Sequence, residues 1–108
     1  MEENQASYDL ALLTKRFRRV VTETYDVLGK MGYGDRDGLD ELGALKMARR
    51  LLRDSTTSRG FTRLWEMGRL GLSVEAIVLR PEFRVLFTDE ERSIANARLS
   101  DGGYFVDV

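Results

Sequence analysis

Apolar residues recur at Leu10, Leu13, Phe17, Val20, Val27 and Met31, with Val21 and Leu28 beside them. The interval is about 3.5 residues, so these positions share one side of a helix from about Tyr8 to about Met31. Lys15, Arg18, Arg19 and Asp26 fall away from that side. The stretch GYGDRDG (32–38) interrupts the pattern: glycine accepts positive φ, and aspartate bonds to nearby backbone, so a loop is expected. A second helix is predicted from near Asp40 to about Arg53. Leu42, Leu45, Ala48, Leu51 and Leu52 form its apolar side, and Lys46, Arg49, Arg50 and Arg53 its basic one.

DSTTS (54–58) reads as a turn and capping cluster before a third helix, about Arg59 to Met67, on which Phe61, Leu64 and Trp65 share a side. Gly68 or Gly71 supplies the stop. Ser73 has the character of an N-cap, with Leu72 and Ile77 as a hydrophobic staple. The short helix from Val74 to Leu79 ends at Arg80, because Pro81 restricts the residue before it. PEFRVLF suits either one helical turn or an irregular apolar clasp. Thr88 and Glu91 form a capping box, Asp89 and Glu90 favour the same helix start, and this last helix runs to about Leu99. The tail DGGYFVDV opens on a glycine stop. Its apolar end (Tyr104, Phe105, Val106, Val108) is expected to fold back over the bundle, the alternative being strand addition to a partner's sheet edge. The expectation is an all-α fold: residues 1–108 form a single bundle of about five helices, long first and shorter after, with an apolar tail at 102–108. Leu13, Phe17, Val20, Leu45, Leu51, Leu64, Trp65, Ile77, Leu86 and Ile94 are its expected core.

Composition narrows the chemistry. The 108 residues include no histidine and no cysteine. That removes the imidazole base, the thiolate nucleophile, the usual zinc and haem ligands and any disulfide. Lys and Arg number 17 and Asp and Glu 18, a formal net charge of −1, so no whole-protein field draws the chain to nucleic acid. MEENQASYD is unlike a signal peptide, and no apolar run approaches the roughly 18 residues of a bilayer span. A cytoplasmic protein without a membrane association is expected.

Four clusters remain as candidates. Lys15, Arg16, Arg18 and Arg19 surround Phe17, but they fan over a wide arc, and Glu23 and Asp26 lie at pairing distance from Arg19; a solvated face accounts for them. Asp35, Asp37, Asp40 and Glu41 resemble part of a calcium loop, yet position six would be Asp40 and position twelve Lys46, where glycine and glutamate are needed. Asp89, Glu90 and Glu91 are explained as a helix start. KMARRLLRDSTTSRGFTRLW (46–65) has the rhythm of a helix-turn-helix, with Arg49, Arg53, Ser58, Arg59, Thr62 and Arg63 as the residues that would reach phosphates and base edges. It departs from that motif in three ways: Leu52 stands where such turns carry glycine, the turn is long, and Arg53 and Ser58 occupy positions that tend to be apolar. No nucleophile elbow, P-loop or dinucleotide fingerprint occurs.

GFTRLWEMGRL followed by LSVEAIVLRPEFRVLFTDEER, within residues 60–99, resembles a small helical domain of bacterial and phage hypothetical proteins. The resemblance implies a prokaryotic or phage setting and a helical fold. It carries no activity and no catalytic, cofactor or metal residue.

Two functions follow as expectations. The first is a non-enzymatic protein–protein interaction module, accessory or inhibitor-like, whose partner is another protein or, through the first helix, a second copy. The alternative is a DNA-binding regulator acting through 46–65. A carboxylate-based enzyme is a third option and would need acids such as Glu75, Glu82 and Asp89 to Glu91 to converge in a cleft.

Overall fold

The computed structural model describes residues 2–106, with side chains from residue 10 onward; Val108 of the tail lies outside the described residues. The chain is all-helical. Among the described residues six α-helices follow one another: α1 (Glu2–Lys30), α2 (Leu39–Leu42), α3 (Ala44–Arg53), α4 (Arg59–Glu66), α5 (Val74–Val78) and α6 (Asp89–Asp101). Two 3₁₀ turns, Leu70–Leu72 and Pro81–Leu86, flank α5.

α1 begins well before Tyr8. The polar opening stretch carries no apolar rhythm, but its Glu, Gln and Ala residues are good helix formers. The expected second helix is two helices. Gly43 takes φ 82° and ψ 160°, a region essentially restricted to glycine, so the chain turns there between α2 and α3. Three helices close with the same device. After α1, α4 and α6 a glycine adopts positive φ (Gly32, Gly68 and Gly103). The next N–H then reaches back five residues: Tyr33 to the Leu28 carbonyl (2.9 Å), Arg69 to Leu64 (2.7 Å) and Tyr104 to Leu99 (2.8 Å). These bonds satisfy carbonyls that a helix end leaves open. At the start of α4, α5 and α6 the hydroxyls of Ser58, Ser73 and Thr88 accept from the third backbone N–H, and Glu91 completes a capping box with Thr88.

α5 lies at the centre, packed by α1, α3 and α6. It buries Val74, Ile77 and Val78, and Glu75 with them. α1 packs on α3, on α5 and on the Pro81–Leu86 turn. That turn has three residues per repeat, so Phe83 and Leu86 share its inner side while Val85 points out. Phe17, fully buried on α1, meets Phe83 and Phe87 edge-on at ring-centroid distances of 5.3 and 5.2 Å.

The inner side of α1 is Phe17, Val21, Thr24, Tyr25 and Leu28. This corrects the expected stripe: Val27 is exposed, and the buried arc is centred nearer Val21 and Leu28. Leu13, Val20, Leu45 and Ile94 are partly buried against the core, and Leu51, Leu64, Ile77 and Leu86 lie within it. Trp65 does not: it is 55% exposed. The buried side of α4 is Gly60, Phe61 and Leu64, and Trp65 falls one step beyond its edge.

Arg98 of α6 ties this core together. Its guanidinium donates to the Leu51 carbonyl (2.7 Å) and the Asp54 carbonyl, and Nη1 stands 3.4 Å from Glu75 Oε2.

Candidate interaction surface

α1 spans 29 residues, a rod of about 43 Å, and it sets the longest dimension of a molecule measuring 47 × 27 × 22 Å. Its C-terminal half is a wall of the core. Its N-terminal half outruns the elements that cover that wall. Leu10 stands about two turns before Phe17, on the same side of the helix, yet it is 42% exposed where Phe17 is fully buried. Leu12 is exposed as well, and Lys15, Arg16, Arg18 and Arg19 lie exposed around this segment. Asp26 pairs with Arg36 (3.2 Å), which also holds Asp40 (2.9 Å), so it does not serve Arg19 as expected.

Another exposed apolar side chain is Trp65 of α4. Trp65 and Phe61 of α4 and Arg98, Asp101 and Gly102 at the end of α6 border an open groove of about 340 Å³. Gly102 permits it: a Cβ there would come within 2.7 Å of Leu70 Cδ1 and 3.3 Å of Trp65 Cδ1. The tail leaves from this corner. Tyr104 lies with its hydroxyl over Gly71, Val106 packs against the core, and Phe105 is 77% exposed. The tail therefore folds back only in part.

The six residues of the helix-turn-helix alternative do not form one free surface. Arg49 turns inward, donating to the Leu86 carbonyl (2.9 Å) and pairing with Glu91 (3.7 Å). The Ser58 hydroxyl caps α4, accepting from Phe61 N (3.1 Å), and the Thr62 hydroxyl bonds the Ser58 carbonyl. Arg53, Arg59 and Arg63 are exposed. Asp35, Asp37 and Asp54 share a polar cleft with Arg50 and Arg59, which offsets part of the positive field.

No family model matches the chain, and searches of curated proteins and of solved structures find no match.

Beneath the surface lies a polar network that sequence reading missed. Asp37, with φ 53°, accepts from the Tyr25 hydroxyl (2.6 Å) and the Tyr33 hydroxyl (2.9 Å), and its own N–H donates to Asp35 Oδ1 (2.8 Å). Burial, with the neighbouring Asp37 charge, pushes both phenols above their ordinary range. Burial also raises the Asp37 carboxyl, against the two tyrosine bonds that lower it. Glu75 is 1% exposed; burial raises its carboxyl, outweighing its own backbone hydrogen bond and Arg98. The remaining acids do not converge with it: Glu82, Asp89 and Glu90 are exposed, and Glu91 serves the capping box. Among the described residues, no three acidic side chains come together in a way that could hold a metal ion, and no helix is long and apolar enough to cross a membrane.

Proposed function

We propose that this chain is a non-enzymatic protein–protein interaction module, accessory or inhibitor-like, of a prokaryote or phage, acting in the cytoplasm. One observation carries the reading: the apolar side of α1 continues past the globule, leaving Leu10 exposed in line with core residues. A contiguous apolar stripe on a helix is a common docking element, because a second helix or groove buries it without rearranging the fold. The arginines beside it would act at the rim, steering encounter. Binding by a second copy of α1 is the simplest version.

Sedimentation velocity over a range of concentrations, paired with quantitative capture from a bacterial lysate, tests this. The wild-type chain should self-associate or retain a defined protein, and Leu10→Glu should lose that behaviour at unchanged helicity. A chain that stays monomeric and retains nothing that Leu10→Glu fails to retain would sink the proposal, as would turnover of a small substrate.

The DNA-binding reading keeps one supporting feature, the exposed Arg53, Arg59 and Arg63 around α4. It requires duplex affinity that falls steeply with salt; a gel-shift series without such a shift removes it.

A further inference from the structure

α6 turns three kinds of side in different directions. Ala95 and Leu99 point into the core. Asp89, Ser93 and Asn96, spaced four and three residues apart, form an outer side exposed to solvent. Arg92 stands on the border between the two and is partly buried. Facing this border is Arg84 of the Pro81–Leu86 turn, with the buried Leu79 below. Together these residues line an open cleft of about 330 Å³, separate from α1 and from the Trp65 groove.

Two features of this cleft bear on what it can hold. Two guanidinium groups from different segments line it, and among the described residues neither has a carboxylate within 4.0 Å. Arg92 Nε is also the one buried side-chain nitrogen or oxygen of the described residues without a hydrogen-bond partner. A buried donor left unmatched is costly, more so on a charged group. An acceptor of negative charge that enters the cleft meets guanidinium groups from two segments at once.

We propose that this cleft binds the phosphate group of a small phosphate monoester. Guanidinium forks engage two oxygens each. Approach from two segments, with the Ser93 hydroxyl and Asn96 amide further along the same side, suits a tetrahedral group with oxygens in several directions better than a flat carboxylate. Asp89 is also in the lining and opposes any anion, which the two guanidinium groups must outweigh; it accepts from hydroxyls, so it favours an ester whose remainder is neutral and hydroxylated over one with a second anionic group. This inference is independent of the interaction-module reading.

The test is an amide-resolved NMR titration of the full chain with inorganic phosphate, and then with a hexose phosphate, at ionic strength held constant with chloride. The expected result is saturable shifts at Arg84, Arg92, Ser93 and Asn96, in the millimolar range for phosphate and at least tenfold tighter for the ester. Arg84→Gln, on an exposed side chain, should weaken binding at least tenfold with the spectrum otherwise intact. Arg92→Lys keeps the charge but removes the planar fork and should also weaken it, whereas Arg59→Gln should not. Shifts that fail to saturate, that acetate reproduces at equal concentration, or that Arg84→Gln leaves unchanged would overturn the proposal.

Discussion

Gly60 is the point at which α4 touches the Asp37 carboxylate. A Cβ there would lie 2.8 Å from Asp37 Oδ2 and 3.5 Å from the Tyr33 ring, and two tyrosine hydroxyls hold that carboxylate in place. Gly60→Ala should therefore lower stability by about 1–3 kcal/mol, although alanine is the better helix former; a urea melt measures it. The Asp37 and Glu75 carboxyls carry a second consequence. Both are raised, chiefly by burial, so the folded chain keeps their protons to higher pH than the unfolded chain does. Their contribution is fully present below the ordinary carboxylate range and is lost as pH rises through the raised folded values. In Glu75→Gln, urea midpoints should fall less between about pH 4 and about pH 7 than in the wild type. An equal fall would contradict the assignment. None of this network was legible in the sequence, which offers Asp35 and Asp37 only as turn formers. Tyr25, Tyr33 and Gly60 acquire their roles from partners that the fold, not the local pattern, brings near. Trp65 failed for a related reason: sharing a helical side with Phe61 and Leu64 says nothing about where the buried arc ends, and that arc extends toward Gly60 instead.

Local signals did better where the chemistry is local. Ser73, Thr88 with Glu91, and Gly68 each do what their type and spacing imply, because a cap needs only its own turn of helix. Gly43 escaped notice, since a lone glycine within an apolar rhythm is compatible with an unbroken helix and its φ is settled by how α2 and α3 dock. Two substitutions separate these cases. Thr88→Ala should reduce stability by ~1 kcal/mol through the lost cap, whereas Gly43→Ala places a Cβ in a conformation that costs ~1–3 kcal/mol. Thermal midpoints should fall by roughly 4–8 °C for each kcal/mol. A Gly43→Ala protein as stable as the wild type would mean that α2 and α3 can merge.

For the molecule as a whole, α1 has two tasks along one rod. Phe17→Ala removes a fully buried ring held edge-on by two others and should destabilise by about 3–5 kcal/mol. Leu10→Glu, two turns away, should leave the thermal midpoint of the monomer within about 4 °C, as expected of a surface change. Similar losses from both would mean that Leu10 belongs to the core. The all-helical architecture was readable from periodicity; where the rod leaves its neighbours was not, because that depends on the reach of the other elements. Arg98 shows how those elements are bound to one another. It joins the end of α3, the first turn of α5 and the last turn of α6 through one planar group. If the C-terminal helix peeled away alone, the Leu51 and Asp54 carbonyls and the Glu75 carboxyl would lose Arg98 in one step, together with the burial of Ala95 and Leu99. Fraying from that end is thereby suppressed, and the final helix should exchange its amide protons only when the whole core opens.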